Sequence, residues 1–416
     1  MKGRIAGAAL FLLFLALYLA TGRALGKTGV FAHDDALFQS DTSRATRDLT
    51  EPGADHYRTK VHPLFVILLN PLGTLLWKIT GSQIRAAALL VAAAGALCVV
   101  MAHAFFRAIG HGAVAALALA VLLGVSASHL VFASIPDTFI FTALSLTVCA
   151  WLALRRPGSL AATVPAGVFS MGMATTNLAP ASLLFLGGAR RDGFWKGVRK
   201  TAALVLLVLA VAAALSLFQK KVYPSSNLFF ARESFQEDAG YVFIPRVAKR
   251  AIVRGEVLFR HLAVFGILAP EPLTRTPVGS PVPWVTFHKA TLSGFCGWSF
   301  AAALVLLLAA WALAAFGIFL ARLHREPLFQ SLLLGIAFLA ALHYFYGDDL
   351  FLYSCSWVFL VIAVLGWGLR GACEAGPRWS WGVNGLLVLL AVLVATNNLA
   401  FLRSLADLYD PVLFLL

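Results

Sequence analysis

The chain has 416 residues, of which 60% are hydrophobic and only 12% charged, with a net charge of +14 and a mean hydropathy of +0.84. Soluble proteins carry about 25% charged residues, so a soluble domain is excluded, and the apolar runs lack the alternation of a membrane-barrel strand. The excess of Lys and Arg predicts no nucleic-acid partner here, because in so apolar a chain its distribution among the loops matters more than its sum.

The first apolar run, within Met1–Gly22, follows Lys2 and Arg4 as in a signal peptide. It is about as long as a span, and no small-x-small cleavage site follows in "YLATGRALGK", so it reads as an uncleaved signal-anchor. Apolar runs at about 4–22, 84–106, 112–131, 137–154, 158–172, 174–189, 199–219, 297–321, 327–345, 350–369 and 381–402 predict about 11 transmembrane helices. The expected fold class is an all-α polytopic membrane protein, built as a single integral membrane domain. Five cysteines without CxxC spacing predict neither a disulfide framework nor a metal knuckle.

A further apolar segment, "HPLFVILLNPLGTLLWKI" (62–79), contains Asn70-Pro71, which should break a continuous helix. Counted as a span, it would leave Arg107 and Arg155–Arg156 outside. Laid in the outer leaflet, it puts every short basic loop in the cytoplasm beside Lys2 and Arg4: Arg107, Arg155–Arg156, 189–200, 322–326 and 370–378. It is therefore expected to form a juxtamembrane or re-entrant helix pair. The expected localisation is a bacterial inner or plasma membrane, with the N-terminus cytoplasmic. Segments 26–83 and 220–296 become the first and the large outer loops.

Of the 19 acidic residues, only Asp192, Glu326 and Glu374 then fall on the cytoplasmic side. The positive-inside rule concerns Lys and Arg, so this sorting of acids is separate information: the working side is the outer one. Three outer segments hold acids where spans emerge. In "VFAHDDALFQSDTSRATRDLT" (30–50), a helix starting at Asp34 would put Asp34, Phe38, Asp41 and Asp48 near one face, with Arg44 paired to Asp41 or Asp48. In "FASIPDTFIF", Asp137 heads a span. In "HYFYGDDLFLYS", Asp348 and Asp349 lie in a turn between spans. Each has a plainer reading as a helix cap or as turn chemistry, and Arg44 as an ion-pair partner only.

The segment "DHYRTKVHPLF" offers Arg58, Lys60 and His62 at a depth that suits a lipid phosphate, or plain interfacial anchoring. In the large loop, Arg246, Arg250, Arg254 and His261 fall near one helical face, among Phe243, Ile252, Leu258 and Phe259. That pattern predicts an interfacial amphipathic helix whose basic side meets headgroups or a pyrophosphate-like anion, the alternative being a solvated face. The loop aromatics Tyr223, Phe229, Phe230, Phe235, Tyr241 and Trp284 could line a sugar cleft. "TTNLAP" (175–180) has a polar centre that faces a cavity or bonds to a neighbouring helix.

The order of these pieces resembles the GT-C superfamily of membrane-embedded glycosyltransferases, which includes the protein O-mannosyltransferases and lipid A aminoarabinose transferases. In that family a first span leads to an outer loop opening with an acidic pair, then a short helix with an arginine. An outer-leaflet helix with a Lys-Pro or His-Pro element follows, and then an arginine-led span. Here "HDDALFQSDTSR", His62-Pro63 and "GSQIRAAALLVAAAGAL" match in order, and Asp137 is the counterpart of a later acid at the outer end of a span. The match covers roughly residues 1–160; Asp-Asp stands where Asp-Glu is commoner.

The resemblance implies transfer of a sugar from a polyprenyl-phosphate carrier to a lipid, glycan or protein acceptor on the outer face, with inversion. It implies Asp34 as the base, with Asp35 orienting it or helping to bind the acceptor. Arg58, Lys60 and His62, with Arg246 and Arg250 behind them, would meet the phosphate. Asp137 would bind sugar hydroxyls or steady the base, and Arg44, Asp348 and Asp349 are further candidates for substrate binding. A divalent cation, Mg2+ or Mn2+, could bridge Asp34 and Asp137; no other cofactor is expected. The rival classes are a transporter or flippase of a lipid-linked sugar and a non-catalytic cell-envelope scaffold. Transporters usually show repeated halves and ionisable groups at the midplane; neither is visible here.

Overall fold

A computed structural model describes residues 2–231, 241–244, 247–288, 290–291 and 297–410. In chain order the helices are α1 (Lys2–Gly26), α2 (Thr42–Thr50), α3 (Phe65–Thr80), α4 (Gln83–Ala108), α5 (Ala113–Val125), α6 (Ala127–Phe132), α7 (Phe139–Arg155) and α8 (Leu160–Met173). They continue as α9 (Leu178–Ala189), α10 (Phe194–Val222), α11 (Ala248–Arg260), α12 (Trp298–Leu320), α13 (Pro327–Phe345), α14 (Leu350–Ala372) and α15 (Pro377–Leu408). Between α11 and α12 lies one antiparallel hairpin, β1 (Leu273–Arg275) paired with β2 (Trp284–Thr286).

Seven helices, α1, α4, α10, α12, α13, α14 and α15, are long and apolar enough to cross a membrane. The protein is an integral membrane protein of the all-α polytopic class. Shorter apolar helices, α3, α5, α7 and α8, accompany them. Proline at the first position of α13 and α15 starts those helices without losing an intrahelical bond. The Ser82 hydroxyl, accepting from the Arg85 amide, starts α4.

The turns sort by charge. Arg370 donates to the Gly110 carbonyl at 3.0 Å, His111 to the Gly366 carbonyl at 2.7 Å, and Arg190 to the Gln330 side chain at 3.0 Å. These contacts gather the basic turns at one face. At the other face Tyr409, just beyond α15, donates to the Ala36 carbonyl at 2.9 Å, and Val285 of β2 donates to the same carbonyl at 2.8 Å. This second face, the loop face, carries the acidic segments.

Helix α3 begins and ends on the loop face. Its start lies against the α8 end through Leu64, whose amide donates to the Gly172 carbonyl at 3.0 Å. Its end feeds α4, which runs from there to the basic turn at Gly110. Contrary to the expected break at Asn70-Pro71, α3 is one continuous helix with Pro71 inside it, not a pair. Contacts to α2 hold it across the missing bond. The buried Asn70 amide donates to the Asp48 carbonyl at 2.9 Å, and Thr74 donates to the Thr50 carbonyl at 2.9 Å. Gly73 passes so close that a Cβ there would lie 2.0 Å from the Leu49 carbonyl oxygen. On the far side Leu68, Leu72, Leu75 and Ile79 form an exposed stripe at helical spacing, which suits a helix lying in the lipid interface.

Helix α14 is the centre of the bundle, with nearly all of its side chains buried. It packs against α12 through small residues: a Cβ on Gly317 would sit 2.0 Å from the Gly368 carbonyl oxygen. In lipid, where apolar faces gain little by leaving a solvent of tails, such close backbone approach is what holds helices together. Helices α8 and α9 are short, with 14 and 12 residues, or roughly 20 Å each at 1.5 Å per residue. A bilayer core is about 30 Å thick. The turn that joins them, Thr175–Asn177, lies beside the start of α3, where the Thr175 amide donates to the Val61 carbonyl at 3.1 Å.

Candidate functional site

The acidic opening stretch is not helical from Asp34. Asp35, Phe38 and Gln39 all have left-handed backbone angles, with φ of 68°, 56° and 60°, and the helix starts only at Thr42. A left-handed conformation is uncommon for any residue with a side chain and costly for one as bulky as Phe. Here the surroundings impose it. Val285 of β2 pairs with this segment from both sides of Leu37: it donates to Ala36 at 2.8 Å and accepts from the Phe38 amide at 3.0 Å. The Phe38 ring is fully buried between Phe287 and Phe351, at centroid distances of 4.9 and 4.6 Å.

This twist sends the two neighbouring acids different ways. Asp34 is exposed and turns back on α2, where its Oδ1 accepts from the amides of Ser43 at 2.8 Å and Arg44 at 3.2 Å. It is a cap on that helix. Asp35 is half-buried and lines two cavities at once. Burial raises its carboxyl above the usual range, and the nearby charges of Asp41 and Asp34 add to the rise, with Arg58 opposing it.

Behind Asp35 lies a buried ionic network. Arg44 pairs with Asp41 and, at 2.8 Å, with Asp48; the other oxygen of Asp48 meets His56 Nδ1 at 2.8 Å. Arg58 reaches Asp41 at 3.5 Å. Burial alone would raise the Asp41 carboxyl, but Arg44 and Arg58 outweigh it and hold it below the usual range. The same pairing outweighs the burial of Arg44 and keeps its guanidinium charged.

The first cavity, about 460 Å3, is walled by Asp35, Asp41, Arg44, Arg58, His62 and Asp137, by the Thr175–Asn177 turn, and on its apolar side by Leu339, Leu342 and Leu352. The second, about 630 Å3, is walled by the hairpin residues Thr274, Arg275, Trp284 and Thr286, by His288, and by Asp348 and Asp349. Asp35, Gln39 and Trp284 line both. The side-chain oxygen of Gln39 accepts from the Asp349 amide at 3.0 Å, which fixes the partition between them.

Two more acids sit in these walls almost without exposure. Asp137 is 1% exposed; its Oδ1 accepts from the Thr138 amide at 2.5 Å, and its Oδ2 has no partner. Burial, and then the charge of Asp41, push its carboxyl up to about 6. Asp349 caps α14 through the Phe351 amide at 3.0 Å, and burial raises it to about 6 as well.

The expected cations divide. Arg58 and Arg44 face the first cavity. His62 also lines it, but its Nδ1 donates to the Met173 carbonyl at 2.6 Å, and burial, with Arg44 and Arg58 nearby, lowers it to about 3. It is neutral, a hydrogen-bonding group and not a cation. Lys60 is buried over the Tyr57 ring, 5.6 Å from its centroid, and lines neither cavity.

Arg246 lies outside the described residues. Arg250 is exposed on α11 and lines neither cavity. The basic face expected for this helix does not form, because Arg254 and His261 turn inward. Arg254 instead donates to the carbonyls of His343 at 2.9 Å, Tyr344 at 3.3 Å, Gly347, and Asp348 at 3.3 Å, holding the turn that carries the acid pair. The exposed side of α11 is mixed, with Ile252, Val253 and Phe259 beside Lys249, Arg250 and Glu256.

Asp34 and Asp137 do not line a common cavity, so they do not form a bridging pair for a cation. Among the described residues no three His, Cys, Asp or Glu side chains gather as a metal group. Of the three aspartates that line the first cavity, Asp35, Asp41 and Asp137, Asp41 is already held by two guanidinium groups. The sequence reading missed Gln39, His343 and Tyr353 as cavity residues and set aside Thr175–Asn177. Only the polar centre of "TTNLAP" carried a signal.

Fold and site together define a polytopic α-helical membrane protein with two adjoining cavities at one face, divided by a strained acidic loop. No family model matches the sequence, and no curated protein matches it. Among solved structures the chain is similar to an oligosaccharyltransferase from Archaeoglobus fulgidus, crystallised as a complex with zinc and sulfate, at 14% identity and a TM-score of 0.47. The similarity covers 94% of this chain and 49% of that one, so the chain spans about half the length of that structure.

Proposed function

We propose that the protein is a glycosyltransferase that moves a sugar from a polyprenyl-phosphate carrier to a hydroxyl acceptor, at a loop face turned to the outside of a bacterial inner or plasma membrane. The observation that carries this reading is the position of Asp35, whose carboxylate lines both cavities. The ordered motifs of residues 1–160, which resemble the GT-C glycosyltransferases, support it independently. The base expected at Asp34 is assigned to Asp35 instead, because the Asp34 carboxylate is engaged by the first turn of α2.

The donor enters the first cavity, where Arg58, with Arg44 beside it, suits a phosphate and Leu339, Leu342 and Leu352 suit the adjoining lipid. The acceptor, a lipid, glycan or protein hydroxyl, comes from the second. Asp35 takes the proton from that hydroxyl; burial has raised its basicity towards what such a transfer needs. The acceptor oxygen attacks the anomeric carbon as the bond to the carrier phosphate breaks. The electron pair leaves on the polyprenyl phosphate, where Arg58 meets the growing negative charge. Attack from the side opposite the leaving group inverts the anomeric centre. The test is incubation of purified protein with a panel of polyprenyl-phosphate sugars and candidate acceptors. Release of polyprenyl phosphate that depends on acceptor supports the reading, and no release across the panel contradicts it.

A further inference from the structure

One wall of the first cavity carries polar atoms that the transfer mechanism does not use. Three side chains there are at least nine-tenths buried and each leaves one polar atom without a partner: Asp137 Oδ2, Asn177 Nδ2 and His343 Nδ1. They come from three separate places, the head of α7, the turn between α8 and α9, and the end of α13. Each has its conformation fixed. Asp137 is held by Thr138. The ring of His343 is stacked on Tyr353 at 4.1 Å between centroids. The backbone of Asn177 is held in the turn between α8 and α9, where its amide donates to the Ala174 carbonyl at 3.0 Å.

The floor beneath them is polar as well. Thr142 and Ser356 are joined at 3.0 Å, and both line the cavity. Ser356 lies about 9 Å below the head of α14, at 1.5 Å per residue. Buried polar atoms without partners are rare and costly. One could be satisfied by a water. Three fixed ones on separate elements, with an acceptor, an amide donor and an imidazole nitrogen among them, form a complementary set. A ring of hydroxyls, each able to donate and to accept, matches that set; a lipid tail or a phosphate matches it poorly.

We infer that Asp137, Asn177 and His343 form a recognition pocket for the hydroxyl groups of a neutral pyranose or furanose ring, and that this pocket selects the sugar of the carrier-linked donor. The inference rests on the proposed transferase reading and adds the residues that read the sugar. It also carries a signature that a structural role lacks. Replacing an unpartnered buried polar group with an apolar one of similar size should stabilise the ligand-free protein, while donor recognition is lost.

The experiment measures binding of undecaprenyl phosphate and of its mannosyl, glucosyl and arabinosyl forms to the full chain in nanodiscs, by native mass spectrometry. Wild type is compared with Asn177→Leu and His343→Phe, and melting temperatures are taken without ligand. The expected result is that wild type binds at least one sugar-bearing form at least tenfold more tightly than the bare carrier. Both variants should lose that preference, keep wild-type affinity for undecaprenyl phosphate, and melt no lower than wild type. Preference retained in both variants overturns the pocket and leaves the transferase reading standing. A wild type that binds neither carrier nor carrier-linked sugar overturns both.

Discussion

The backbone amide of Asp349 donates to the side-chain oxygen of Gln39 at 3.0 Å, so the strained loop that presents Asp35 is fastened to the head of the central helix α14. Gln39 itself has a left-handed backbone and lines both cavities. In the proposed reaction its side chain keeps the approach of Asp35 to the acceptor fixed. Loss of that restraint should show in the chemical step, since small misplacements of reacting groups are expensive in rate. Gln39→Leu is expected to lower kcat for transfer by about tenfold to a hundredfold, read as initial rates of carrier-phosphate release. An unchanged kcat would show that the loop is held without it.

Asp34 and Asp35 make a pair with opposite expectations. Asp34→Ala removes the acceptor for two amides of α2 and should cost about 1 kcal/mol of stability, visible as a lower melting temperature with transfer retained. Asp34→Asn keeps a capping oxygen and should melt as wild type does.

Asp137 and Asp349, both raised to about 6, share in the pH dependence of stability, and Asp137 isolates one share. Its folded carboxyl is raised from 3.8 to about 6, chiefly by burial. A raised acid contributes stability that is fully present below its unfolded pKa and is lost as pH rises through its folded one. Between about 4 and 6 the folded protein therefore loses stability as Asp137 ionises. Asp137→Asn removes that loss and should raise stability at pH 8 by up to about 3 kcal/mol, with little change at pH 4. Thermal melts of both proteins across that range would check it, and equal melting temperatures at pH 8 would count against the burial argument.

Arg254 holds four carbonyl groups at the end of α13 and in the following turn. Arg254→Ala should cost about 3 kcal/mol and free Asp348 and Asp349 from their place in the second cavity. Transfer should then show a higher KM for acceptor, with a smaller rise for donor because the His343 carbonyl loses its partner as well. A rise confined to donor KM would reassign the cavities.

The two faces have their own test. A cysteine at position 53 on the loop face should react with an impermeant maleimide in intact cells, and one at position 193 in a basic turn should not. The reverse pattern would invert the proposed orientation.

The spans and the surface helix were legible because composition, length and loop arginines act one element at a time. The course of α3 through Pro71 was not: tertiary contacts from Asn70 and Thr74 to α2 override the local preference of proline. The gathering of the acidic segments at one face, the loop face, was legible for the same local reason. Which of two adjacent aspartates faces the cavities depends on a left-handed turn at Asp35, Phe38 and Gln39. No glycine announces that turn, and the pairing with Val285 that imposes it comes from about 250 residues away in the chain. His343 and Asn177 were hidden because a lone polar residue in an apolar run looks the same whether it bonds to a neighbouring helix or faces a cavity.

Asp35 is the proposed base, and the most direct test of it is the initial rate of acceptor-dependent polyprenyl-phosphate release by Asp35→Asn beside Asp34→Asn, both shown to be folded. The expected result is a fall of at least about a hundredfold for Asp35→Asn, in the range typical of lost general bases, with Asp34→Asn within about threefold of wild type. Full activity in Asp35→Asn together with loss in Asp34→Asn would contradict the account and return the base to the neighbouring residue.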